Sequence, residues 1–239
     1  MPPVNPGFLQ CDGFSTFAEI ANSADFSLTT TGALTASAWI RPSVHTFPSS
    51  EGSGYVHWMG KGELGGQEWV FRIYSKRNDE KRHNRISFYV FNPAGGEGIG
   101  SHFDNETLVV GDWIHVTGVA DTQRTYIYKD GVFQRCDQYT GTGDAKCHNY
   151  DPSLWVTPAA GNAPVRIGTR DFHSFFWGGI AEVRFWNRVL TDSEIALVAA
   201  ESSVPRDGLV AEFLLDQKVA RDSAGGHDAN LFGAGPASP

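Results

Sequence analysis

VGDWIHVTGVADTQRTYIYKDGVF, residues 110–133, alternates apolar and polar side chains in two β-prone runs that flank Asp130-Gly131. Side chains of a strand point to opposite faces with a period of two, so each run offers one face to a core. An Asp-Gly pair between such runs is a strong two-residue hairpin signal, because the favoured turn needs positive φ at both central positions. Residues 110–133 are therefore read as two antiparallel strands and a tight turn.

The same texture repeats outward from this hairpin. FLQCDGFSTFAEI (8–20), LTASAWIR (34–41), YVHWMGK (55–61), EWVFRIYS (68–75), RISFYVFN (85–92), APVRIGTR (163–170) and GGIAEVRFWN (178–187) read as strands at short spacing. The 27 Gly and 12 Pro are spread without a repeat period, as many short strands with many turns require. Helical character is confined to one place. Thr191 can cap and Glu194 follows three residues later, a capping-box spacing ahead of Ile195-Ala-Leu-Val198, which predicts a short helix at 192–200. GLVAEFLLD (208–216) returns to strand, and no second core is evident. The expectation is one all-β domain over 8–233, with flexible ends at 1–7 and 234–239.

Composition narrows the function classes. Hydrophobic residues make up 41% and charged residues 19% of the 239, which favours a folded chain over a disordered one. A net charge of −8 opposes attraction to phosphate backbones and anionic lipid, so nucleic acid is not expected as a partner. No apolar run approaches the roughly 20 residues of a membrane helix, and the start lacks the basic and apolar parts of a signal peptide. Cys136 and Cys147 enclose a glycine-containing loop that can close a disulfide in an oxidising compartment; two reduced thiols are the alternative. Cys11, in an apolar strand, reads as a small buried hydrophobe. The eight His show no paired metal-ligand spacing, and His115 reads as a structural hydrogen-bonder.

Five blocks taken together resemble the laminin G-like, concanavalin A-like jelly-roll family and, more distantly, pentraxins. They are residues 11–28, LTASAWIRP (34–42), the opening stretch 110–133, VRIGTR (165–170) and GGIAEVRFWNRVLTDSEI (178–195). The resemblance implies a two-sheet antiparallel β-sandwich with Trp39, Trp113 and Trp186 in core strands, in a secreted or cell-surface protein. Residues 208–233 are similar to a segment that opens a repeat in relatives, so here they either complete this domain or begin another. Many relatives hold a structural calcium at the rim. Asp12, Asp222 and Asp228 are the candidates here, although Ala181 stands where relatives commonly place an Asp. Their alternative role is to hydrogen-bond their own turns.

A sugar site needs an aromatic face for the apolar side of a pyranose and planar polar groups for hydroxyls or a uronate carboxylate. If Trp69, Phe71 and Ile73 face the core, alternation sends Arg72 and Tyr74 outward; Ile86, Phe88 and Val90 inward leave Tyr89 outward, and His57 joins from the preceding strand. The loop DFHSFFWGG (171–179) is a second candidate through Phe175, Phe176 and Trp177. Closely spaced carboxylates of the glycosidase kind are missing from any one strand. The expected function is carbohydrate binding, lectin-like, toward an extended and acidic glycan. A polysaccharide lyase acting on uronates and a protein-interaction domain are the alternatives.

Overall fold

The computed structural model describes residues 7–63, 65–92, 98–215 and 220–233. The ends 1–6 and 234–239, expected to be flexible, lie outside the described residues. In chain order the elements are β1 (Leu9–Asp12), β2 (Phe17–Ile20), α1 (Leu28–Thr31), β3 (Leu34–Pro42), β4 (Tyr55–Lys61), β5 (Trp69–Tyr74), β6 (Ile86–Val90), β7 (Ile99–Phe103) and β8 (Ile114–Ala120). There follow β9 (Arg124–Lys129), β10 (Val132–Gln138), β11 (His148–Asn149), β12 (Val165–Ile167), β13 (Trp177–Trp186), α2 (Asp192–Ala199), β14 (Leu209–Phe213) and β15 (Ala229–Phe232).

Two sheets form the sandwich. One runs β1-β13-β3-β8-β9-β10-β11, with β14 also paired to β13, and the other runs β15-β2-β12-β4-β5-β6-β7. Pairing is antiparallel except between β10 and β11. The β9–β10 hairpin turns at Asp130 (φ 51°) and Gly131 (φ 79°), with Lys129 opposite Val132, as the Asp-Gly pair requires. The C-terminal segment joins both sheets: β14 pairs with β13, and β15 pairs with β2.

The core lies between the sheets. Ala36, Ala38 and Ile40 of β3 and Ile114 and Val116 of β8 face Trp58, Phe71, Ile73, Phe88 and Val90 of the opposite sheet. Gly118 makes room there, since a Cβ at that position would stand 2.5 Å from the Phe71 ring and 2.6 Å from the Phe88 ring. Trp69, Phe71 and Ile73 thus point inward, which fixes the outward parity of Arg72 and Tyr74.

Several expectations need correction. Trp39 and Trp186 are buried as expected, in two smaller core clusters on the outer side of the β3–β8–β13 sheet, because alternation gives the inner side to Ala38, Ile40 and Phe185. Trp113 is only half-buried. It precedes β8 and packs against Phe8 and Arg41. His115 is buried, yet among the described residues neither ring nitrogen has a hydrogen-bond partner; its ring packs edge-on against Trp39. α2 forms as expected, with a complete Thr191–Glu194 capping box, and buries Ile195 and Val198 beside Trp186. The single turn α1 was not legible. Its three threonines are poor helix formers, and it is held instead by buried Leu28 and by Gly32 at φ 76°.

Candidate functional site

The outer face of the β4–β5–β6 sheet carries a cleft of about 630 Å³, within the size range of small-molecule sites. Register builds its floor. His57 stands opposite Arg72, Tyr55 opposite Tyr74, and Tyr89 opposite Val70, so all of them share one face. Loops complete the walls with Glu51, Arg82, Tyr150, Arg170, Asp171 and His173.

Arg72 is the centre of this arrangement. Its guanidinium carbon lies 4.4 Å from the Tyr55 ring centroid, 4.8 Å from Tyr89 and 5.3 Å from Phe91, a cation–π cage that fixes its plane. Its Nε donates to His57 Nε2 at 3.2 Å. That bond makes Nε2 an acceptor and leaves the imidazole proton on Nδ1, which lies 2.7 Å from Glu51 Oε1 and 3.7 Å from Asp171 Oδ1. Among the described residues Arg72 has no carboxylate partner. Its terminal nitrogens are left for something in the cleft.

Arg170 is a second cation with unused donors. It is buried, and its Nη2 contacts the Asp171 carboxylate, while Nε and Nη1 have no hydrogen-bond partner among the described residues. Its backbone carbonyl is held by Arg166 Nη1 at 2.7 Å. Arg82 caps the other end, donating to the Tyr74 hydroxyl at 2.8 Å and pairing with Glu80 at 2.6 Å.

Electrostatics assign the protonation states. Burial raises the pKa of the Glu51 carboxyl, but the His57 contact and the 2.6 Å bond from Ser174 Oγ outweigh it, and the net shift is downward. Burial opposes ionisation of Asp171 too, and the neighbouring His57 and Arg170 overcome it strongly. Both carboxylates are therefore ionised at neutral pH. Burial pushes the Tyr55 and Tyr89 phenols up, and takes Tyr150 to about 12 with help from Asp137. The phenols are neutral hydrogen-bond donors.

Of the residues singled out in the sequence, Arg72 and Tyr89 line the cleft half-exposed. Tyr74 also borders it but is almost wholly covered by Tyr55 and Arg82, and His57 is entirely buried behind Arg72. The expectation that all four would be outward and open is thus corrected for depth: parity held, but neighbouring rings cover two of them. The loop after Arg170 reaches the cleft through Asp171 and His173, not through its aromatics. Phe176 is buried against Phe47, Phe175 packs near Phe17 and Phe172, and Trp177 sits at the start of β13 beside Phe14. These rings cover a sandwich end, where apolar contact outweighs solvation.

Asp12, Asp222 and Asp228, the acids considered for calcium, form no three-ligand group among the described residues. Asp12 Oδ1 accepts from the backbone N–H groups of Phe14, Ser15 and Thr16 at 2.8–3.0 Å, and its carboxyl is held well below the usual range by these bonds despite partial burial. Asp222 accepts four backbone N–H groups, from Glu212, Ala224, Gly225 and His227. Asp228 Oδ1 accepts from Asp222 N at 3.0 Å. These are turn-organising bonds. Among the described residues, the side chains that do converge in a group able to hold a cation, with ligand atoms within 4.8 Å, are Glu51, Asp171 and His173; Arg170 already supplies positive charge there. The structure joins Cys136 to Cys147, with Cα atoms 4.6 Å apart, and this bridge leads into Tyr150 at the cleft wall.

Sequence reasoning missed Glu51, Tyr55, Arg82, Tyr150 and Arg170. Tyr55 had a signal, since it shares parity with His57 across one residue. The others arrive from loops with no periodicity to read.

A two-sheet jelly roll with a polar and aromatic cleft on one sheet defines a lectin-like architecture. The chain belongs to the concanavalin A-like lectin/glucanases superfamily, whose laminin G model matches residues 14–196. No curated protein sequence matches it. Among solved structures, a candidate carbohydrate-binding protein from Bacteroides ovatus is similar at TM-score 0.57 and 17% identity, over 97% of this chain and 60% of that one. The chain thus spans less than two thirds of that protein. The heptameric SAP-like pentraxin from Limulus polyphemus is similar at TM-score 0.60 and 13% identity, over 97% of this chain and 96% of that one. At these identities the likeness is one of fold.

Proposed function

We propose that this domain binds carbohydrate in the β4–β5–β6 cleft and selects glycans that carry a carboxylate. The observation that carries the reading is Arg72: caged by Tyr55, Tyr89 and Phe91, lacking a carboxylate partner, and aimed into the cleft. A planar guanidinium held in one orientation pairs bidentately with a uronate carboxylate, and the surrounding phenols supply donors and ring faces to a pyranose. The Bacteroides ovatus protein of like fold supports carbohydrate as the ligand class. The disulfide suits a secreted or cell-surface setting.

Binding without cleavage fits the protonation states. A retaining or inverting glycosidase needs one carboxyl that carries a proton, and both Glu51 and Asp171 are held ionised. A glycan array probed with the wild-type chain and with Arg72→Ala tests the reading. Binding confined to uronate-bearing glycans and lost in the variant supports it. Equal binding of neutral glycans, or an unaffected variant, overturns it, and the appearance of unsaturated uronate products establishes the lyase instead.

A further inference from the structure

The cleft shares a wall with a second depression. Residues 76–85, KRNDEKRHNR, join β5 to β6 and hold five of the chain's 19 Lys and Arg against two acids. Glu80 and Arg82 of this loop face the cleft. Lys76, Arg77 and His83 face away from it and, with His45 and Thr46, line a depression of about 490 Å³. Lys76, Arg77 and Lys81 are exposed and make no ion pair among the described residues, whereas Arg82 and Arg85 are neutralised by Glu80 and Asp104.

The loop is built, not loose. Asn78 Oδ1 accepts from the N–H groups of Glu80 and Arg82, and Asn78 Nδ2 donates to Ser75 O at 2.8 Å. Lys76 N donates to His45 O at 2.6 Å, tying the two rims of the depression together. Lys81 stands at φ 57° and Asn84 at φ 50°. A lysine in the left-handed region is sparsely populated and persists where its surroundings hold it. Five cations against two acids give this loop a net positive charge although the whole chain carries −8. Screening resolves the conflict: at physiological salt the Debye length is about 8 Å, so an approaching anion feels the net positive charge of this loop more than the acids beyond that distance.

We infer that the ridge is a second subsite, which binds a further anionic group on the same glycan chain whose carboxylate sits at Arg72. The ligand class is then a linear polyanionic polysaccharide, with a sulfate ester or a second carboxylate displaced along the chain from the uronate in the cleft. This rests on the proposed glycan-binding role of the cleft for its first contact, and on the ridge alone for its second. Lys and Arg both serve this purpose, since a sulfate or carboxylate held at a rim needs charge more than a fixed plane.

The test compares the wild-type chain, a ridge variant (Lys76→Ala with Arg77→Ala) and a cleft variant (Arg72→Ala). Titration calorimetry is run with glucuronic acid, unsulfated chondroitin, chondroitin sulfate and polygalacturonate, with oligodeoxythymidine as competitor. The ridge variant should keep its melting temperature and its glucuronic acid affinity, but lose about tenfold in affinity for the charge-dense polymers and some of its salt dependence. A loss confined to chondroitin sulfate assigns the second group as sulfate; an equal loss on polygalacturonate assigns it as carboxylate. If the ridge variant binds every polymer like the wild type, or if oligodeoxythymidine displaces them as readily as free polymer does, the inference is overturned while the cleft stands. If polymer binding depends on the ridge but ignores Arg72→Ala and glucuronic acid, the ridge stands and the cleft reading falls.

Discussion

Arg72 Nε donates to His57 Nε2 at 3.2 Å, so an entirely buried imidazole holds the one cleft arginine that has no carboxylate partner among the described residues. His57 in turn lies 2.7 Å from Glu51 Oε1. The order Glu51–His57–Arg72 positions the guanidinium without neutralising it. His57→Gln keeps an acceptor near Arg72, whereas His57→Ala frees the side chain to rotate. The alanine variant should lose about tenfold in uronate affinity, and the glutamine variant should recover part of it, as one hydrogen bond to a charged group is worth about 1.5 kcal/mol or more. Calorimetric titration with a uronate ligand checks this, and equal affinities in all three proteins would detach His57 from binding.

Substituting Arg72 by Lys should not restore what Arg72→Ala removes. The tyrosine cage selects a flat cation, and an ammonium has neither the plane nor the paired donors. Arg72→Ala should also lower the melting temperature by a few degrees, since it leaves the buried His57 Nε2 without its donor and empties the aromatic cage, so affinities are compared well below the melting transition.

The disulfide links cleft shape to redox state. Opening the bridge between Cys136 and Cys147, 11 residues apart, should destabilise the fold by about 3 kcal/mol on a loop-entropy estimate. It should also weaken ligand binding, because β11 and then Tyr150 follow directly from Cys147. Chemical denaturation and titration of the Cys136→Ser, Cys147→Ser double variant measure the two effects. Unchanged affinity would show that Tyr150 keeps its place without the bridge.

Acid should destabilise the protein through His115. Burial first, and the Arg184 charge second, lower its pKa from 6.5 to about 3. The folded state therefore binds the proton less readily than the unfolded state. The stabilisation is complete above about pH 6.5 and is lost as pH falls from there toward 3. Between pH 7 and pH 4.5 this single group should cost about 2.5 kcal/mol. His115→Leu should flatten the pH dependence of unfolding free energy over that window, whatever its stability at pH 7, and an unaltered slope would place the dependence elsewhere.

The tryptophans should separate by depth. Trp186 is fully buried and its Nε1 donates to Pro205 O at 2.8 Å, so Trp186→Ala should cost about 3–5 kcal/mol in unfolding free energy. Trp113, half-exposed against Phe8 and Arg41, should cost clearly less on the same substitution. Equal losses would mean that Trp113 is packed more deeply than its exposure shows.

The sequence by itself determined the all-β texture, the Asp130-Gly131 hairpin, the capped helix and the parity of Arg72, Tyr74 and Tyr89, while the two-sheet sandwich followed from the resemblance to the laminin G-like family. The former are local or periodic properties: a turn needs particular φ angles, and a strand alternates its faces wherever it lies. Depth was not legible. Tyr74 and His57 share the parity of Arg72, yet Tyr55, Arg82 and the loop bearing Ser174 cover them, and only the packing of other segments decides that. Phe176 shows the same limit from the other side, since a run of three aromatics does not say which ring turns inward. Tertiary structure alone decided the cleft walls, where Glu51, Tyr150, Arg170 and Asp171 converge from segments up to 120 residues apart (positions 51 and 171). Such convergence carries no period and no spacing along the chain, because it is set by how two sheets stack and where their loops emerge.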